Sequence, residues 1–152
     1  MFQSLITVLV LLSPYPDSGE IVTAFKDSIL QGNIPAAIDM ISEDAMLMVD
    51  SVIANDPEQI SRELLYFGLQ LEITEMEKMN GKLLLTDILS SPTVSGAILL
   101  LGISADEPVI HNERTFVPVA YGLFGNRDSI YLELVTEDGI WKIHDFFEIL
   151  PR

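Results

Sequence analysis

His144 and Asp145 stand side by side near the end of the chain, and they are the first residues to question for chemistry. An aspartate that orients an imidazole can make a general base of it. The surrounding stretch, IWKIHDFFEI, reads as a β-strand, however, and neighbours on a strand point to opposite faces. The pair is therefore expected to split, with His144 at the surface beside Tyr131, Glu133 and Lys142. Asp145 shares its parity with Trp141, Ile143 and Phe147 and is expected on the inner face. There a carboxyl enclosed by apolar side chains could move protons near neutral pH, and the alternative is an aspartate that caps a loop. Tyr66, Tyr121 and Trp141 each carry a polar tip on an apolar body, so with Asp145 they form the candidate pocket set. His111 falls in a hairpin connection with Asn112 and Glu113, where a solvated histidine is the ordinary reading.

Several chemistries are excluded by what the chain contains. There is no cysteine, which removes disulfides, thiol nucleophiles and zinc–thiolate sites. With two histidines in total, a metal cluster would have to be completed by carboxylates, and no twelve-residue calcium loop is written in the sequence, so no metal and no cofactor is expected. A nucleophile elbow, a phosphate loop, a dinucleotide fingerprint and a zinc-protease helix are likewise missing. The formal net charge is -15, from 23 acids against 8 bases. That balance argues against nucleic acid as a partner and against docking on anionic membranes.

The elements that must position these residues can be read in order. The 152 residues suit one domain, and 49% of them are hydrophobic, enough for a core. Residues 1–17 are read as an N-terminal segment apart from the domain at 18–152. Its apolar run Leu5–Leu12 is far short of the roughly 20 residues of a membrane span. It fits the centre of a secretory signal, which points to an exported protein, although no Lys or Arg precedes it and no Ala-x-Ala site follows. Ser18 is the expected cap of a first helix that Gly32-Asn33 ends, and Ile34-Pro35 opens a second. Ser42-Glu43-Asp44 interrupts it before Ala45–Ile53, and Asn55-Asp56-Pro57 starts another helix that runs to Gly68. Thr74 and Glu77 match a capping box, with a short edge strand over Leu69–Met76 as the alternative. Lys82–Ser90 reads as a short helix. Gly96–Ile103, an unbroken apolar run, is expected to be a strand buried on both faces. Met40, Met46, Met48, Met76 and Met79 gather in this helical half, as core fillers or as the lining of a permissive pocket.

From Arg114 to Leu150 the pattern changes to period two. Three strands, RTFVPVAYGLF, SIYLELVTE and IWKIHDFFEI, are separated by turn signals at Gly125–Asp128 and at Asp138-Gly139. Val117, Val119, Tyr121 and Leu123, with Ile130, Leu132 and Leu134, make the inner face. Pro118 implies an edge or a bulge there. Ala120 and Gly122 on the second face leave room for a close neighbour such as another subunit. Helices first and strands last give an α+β fold, with the N-terminal helices on one face of an antiparallel sheet of about four strands.

The stretch KDSILQGNIPAAIDMISED and the closing EDGIWKI carry a resemblance, through Phe25, Gly32, Ala37, Asp138, Gly139, Trp141, Lys142 and Ile143. On these residues the chain from Ser18 to Leu150 resembles the NTF2-like (cystatin-like, cone-shaped) α+β superfamily, and small bacterial domains of that group in particular. The resemblance implies a curved sheet wrapping a helix, with a cavity at the open end. It also implies a choice of roles, since members include isomerase- and dehydratase-like enzymes as well as non-catalytic domains. The leading expectation is a non-enzymatic domain that binds a small apolar ligand or a partner protein. The rival is an acid–base enzyme with Asp145 as base and Tyr66 or Tyr121 as hydrogen-bond donor. A homodimer through the second sheet face is the third.

Overall fold

A computed structural model describes residues 16–152 of the chain. The expected N-terminal segment and its secretory reading lie almost wholly outside the described residues. Among the described residues, seven α-helices precede an antiparallel sheet of five strands. The helices are α1 (Ile21–Leu30), α2 (Ile34–Asp39), α3 (Glu43–Asn55), α4 (Pro57–Leu64), α5 (Ile73–Met76), α6 (Gly81–Leu89) and α7 (Pro92–Leu101), with a 3-10 turn at Leu65–Phe67. The strands are β1 (Ser104–Ala105), β2 (Val109–His111), β3 (Arg114–Leu123), β4 (Asn126–Glu137) and β5 (Ile140–Phe147). The fold is therefore α+β with the helices N-terminal to the sheet, as the sequence pattern indicates.

Local signals explain most helix ends. Gly32 adopts a left-handed conformation (φ 75°) that only glycine takes without strain, and α1 stops there. Ser42, Asp56, Asn80 and Ser91 each accept a backbone N–H at the start of the following helix. Two caps differ from expectation. Helix α1 begins at Ile21 rather than beside Ser18, because Asp17 closes the preceding turn by accepting the Gly19 amide at 2.9 Å. The capping box is formed by Glu72 and Glu75, two residues before Thr74 and Glu77, and it starts α5 where an edge strand was the alternative.

The run Gly96–Ile103 lies mostly in helix α7, which extends to Leu101, and is not a buried strand. Ser91 caps the helix, Pro92 occupies its first position, and Gly102 ends it in a left-handed conformation (φ 54°). Nor is it buried: Leu99 and Leu100 are 71% and 66% exposed.

The sheet is ordered β1-β3-β4-β5, with β2 also paired to β3. Strands β1 and β2 lie along the same side of β3, so they amount to one edge strand interrupted at residues 106–108. The interruption falls opposite Pro118, whose carbonyl accepts the Asp106 amide at 2.9 Å. A residue's N–H and C=O point to the same side of its strand. The donorless nitrogen of Pro118 thus faces the break, which is how a proline sits in an interior strand without leaving an acceptor unpaired. Three tight turns link β2 to β5: Asn112-Glu113, Phe124-Gly125 and Asp138-Gly139. All six residues have positive φ, the geometry that matches strand twist in two-residue hairpins.

Two apolar cores result. One joins α1 to the sheet through Ile21, Val22, Val117, Val119 and Leu134, with Trp141 and Ile143 packed against it. The other is wholly helical and contains Ile53, Leu64, Met76 and Leu84. Met76 fills that second core, while Met48 stays largely exposed.

Candidate functional site

The inner-face assignment holds along β3, β4 and the first half of β5, then fails at one residue. Leu134 pairs with Ile143, but Glu133 pairs with Asp145, so His144 is an extra residue in a β-bulge. Parity reverses beyond it. Phe146 pairs with Leu132 on the helix side, while Asp145 and Phe147 pair with Glu133 and Tyr131 on the outer side. The expectation that Asp145 and Phe147 face inward is overturned for this reason. Asp145 Oδ1 accepts the Phe146 amide at 2.8 Å, the backbone-holding role that was its alternative.

His144 is also not the surface residue expected. Its Nδ1 lies 3.0 Å from Oγ of Ser42, which is fully buried and accepts the Ala45 amide at 3.1 Å. One hydroxyl can serve both partners, since it has two lone pairs and one proton. The strand backbone joins in: the Ile143 amide donates to Met40 (2.7 Å) and the Ser42 amide donates to the Ile143 carbonyl (2.9 Å), in a short parallel bridge. Helix α3 is thereby fixed to the edge of the sheet at its N-cap.

Between the two cores lies a cavity of about 640 Å3. Helix α1 contributes Phe25; α3 contributes Ala45, Met48, Val49 and Val52; α4 contributes Ile60, Glu63 and Leu64. Leu84, Leu85 and Ile88 of α6 and Phe67 complete the helical wall, and Leu132, Ile143, His144 and Phe146 form the sheet wall. Asp145 borders it at the bulge. The lining is apolar apart from Glu63, His144 and Asp145. None of the eight Lys and Arg residues reaches it. Glu63 sits at the exposed rim and accepts from Gln59 Nε2 at 2.8 Å.

The other proposed pocket residues lie elsewhere. Tyr66 is 83% exposed, Tyr121 sits opposite Asp128 at the far end of β3, and Trp141 packs into the sheet core. None of the three lines this cavity, so the tyrosine donors of the acid–base arrangement do not converge with Asp145. His111 ends β2, in register with Arg114. The close approach at Gly122 is internal: a Cβ there would lie 1.9 Å from the Asn126 carbonyl oxygen of its own hairpin.

The outer face carries one ion pair. Arg114 donates to both carboxylate oxygens of Glu133, at 2.7 and 2.6 Å, and its guanidinium lies over the rings of Phe116 and Phe147. The hydrogen bond from Arg114 holds the Glu133 carboxyl below the usual carboxylate range, against the opposing effect of burial. The same bond raises Arg114. This cluster reads as the cover of the fully buried Phe116.

The sequence marks Ser42-Glu43-Asp44 as an interruption between helices; the capping role of Ser42 and its partnership with a histidine 102 positions away are findings of the structure. The cavity-lining helical residues were visible as apolar stripes, with nothing to show that they leave a space unfilled. No family model, no curated protein and no solved structure matches the chain. No single helix among the described residues is long and apolar enough to cross a membrane.

Proposed function

We propose that this chain is a non-enzymatic, NTF2-like domain that holds a small apolar ligand between its helical layer and its sheet. One observation carries the reading: a cavity of about 640 Å3, lined by aliphatic and aromatic side chains from four helices and two strands. Its size falls in the range of about 300–1,000 Å3 typical of small-molecule sites, and its few polar groups are the kind that orient a ligand. The NTF2-like kinship rests on the helix-then-sheet order and on the residues quoted for it, and export rests on the apolar run Leu5–Leu12; intact mass of the secreted product tests the latter.

Ligand binding is tested with Nile red, a neutral dye that brightens in apolar surroundings. Saturable one-to-one binding is expected. Ala45→Trp, which places an indole in the cavity, should abolish it while circular dichroism keeps the helical signal. The reading falls if the wild-type chain gives no saturable signal, or if the folded Ala45→Trp variant binds the dye as well as wild type.

A further inference from the structure

We propose that the cavity selects an apolar molecule with a cationic head, an alkylamine or quaternary ammonium, over a fatty-acid-like anion. The proposal rests on the ligand-binding reading above and adds the ligand's charge. Three observations lead to it. The charged side chain at the cavity rim is Glu63, an acid; Asp145 borders the cavity at the bulge with its carboxylate turned to the outer face, and no Lys or Arg joins them. A carboxylate head would find no guanidinium or ammonium partner there and would meet like charge at Glu63, whereas tight binding of an anionic amphiphile calls for Arg or Lys. The rim is also aromatic. Phe67, in the 3-10 turn that follows α4, lines the helical wall together with Glu63, and Phe146 stands on the sheet wall; both rings are exposed. A ring face beside a carboxylate is the chemistry that holds an ammonium group. Finally, the net charge of -15 gives the approaches to the mouth a field that draws cations and repels anions.

Asp145 is the weaker of the two acids here. Its charge acts partly on Arg114 across the outer face, and its Oδ1 is committed to the Phe146 amide. Glu63 therefore carries the selectivity. Its only side-chain partner among the described residues is the neutral Gln59 amide.

The test is displacement of bound Nile red by three amphiphiles with the same ten-carbon tail: decyltrimethylammonium, decanol and decanoate, each below its micelle threshold. Decyltrimethylammonium is expected to displace the dye at about tenfold lower concentration than decanol, the scale of a rim ion pair plus a cation–π contact. Decanoate should be the poorest of the three. Glu63→Gln should remove most of the preference for the cation and leave decanol unchanged. Glu107→Gln, an equal change of charge on the exposed β1–β2 connection away from the cavity, should leave the preference in place. Decanoate binding as well as the cation, or a preference that survives Glu63→Gln or is lost equally in Glu107→Gln, overturns the charge selectivity while leaving the cavity reading intact. Failure of all three compounds to displace the dye overturns both.

Discussion

Ser42 offers the most informative single substitution outside the cavity. It is fully buried, it caps α3 through the Ala45 amide at 3.1 Å, and it meets His144 Nδ1 at 3.0 Å. Ser42→Ala removes the cap, which costs about 1 kcal/mol. It also removes the hydrogen bond to the imidazole, about 1 kcal/mol net in a part-buried setting. The expected loss is about 2 kcal/mol, or roughly 6–8 °C in Tm for a domain of this size. His144→Leu removes only the second contribution and should cost about 1 kcal/mol. The double variant should then lose about 2 kcal/mol rather than about 3, a coupling of about 1 kcal/mol between residues far apart in sequence. Urea denaturation followed by the fluorescence of Trp141, which packs on the sheet core, measures all four proteins. A coupling of zero would refute the bulge geometry that brings His144 to Ser42. A loss below about 0.5 kcal/mol for Ser42→Ala would refute the cap as well.

Three further outcomes are expected. Glu133 has a lowered folded-state pKa, so its contribution is complete above its unfolded value and is lost as pH falls through the folded one. Wild type should therefore exceed Glu133→Gln in Tm near neutral pH, and the gap should close from about pH 5 downward; a gap independent of pH would count against the ion pair. Gly122→Ala should destabilise by about 2 kcal/mol or more, because the added methyl meets the Asn126 carbonyl at the β3–β4 hairpin, and an unchanged urea midpoint would contradict that contact. Phe124 is 98% exposed at φ 52° in the same hairpin, so Phe124→Asn should stabilise by about 1 kcal/mol in thermal melts; a loss instead would mean that the ring has a partner in solution.

The readable parts of the fold share a physical cause. Caps, prolines at helix starts and paired positive-φ turns act within a few residues, so Asn80, Asp56-Pro57 and Asp138-Gly139 mark boundaries without knowledge of the rest. The misreadings arise where a local signal competes with a stronger pattern. In α7 the cap at Ser91-Pro92 and the stop at Gly102 were both written in the sequence, yet the apolar run between them has the composition of a buried strand. Only the exposure of Leu99 and Leu100 shows that burial was the wrong premise. The site was less legible than the fold. Ile60 and Leu64, or Val49 and Val52, are spaced to face inward, but spacing cannot distinguish a face that meets a neighbour from one that borders a void.

The bulge at His144 accounts for the largest departure in the site, and one inserted residue is enough to cause it. Strand parity is a strict alternation, so a single unpaired position exchanges the faces of everything beyond it. Here the exchange sends Asp145 to the outer face beside Glu133 and brings Phe146 to the cavity mouth in its place. At the same point Ile143 bonds to Met40 and Ser42, and the His144 ring reaches Ser42, so the irregular residue is also where the helical layer is tied to the sheet. A regular strand would have placed a carboxyl inside and supported acid–base chemistry. The bulged strand instead turns the carboxyl outward and sets a phenyl ring at the cavity mouth, in keeping with the ligand-holding role proposed above.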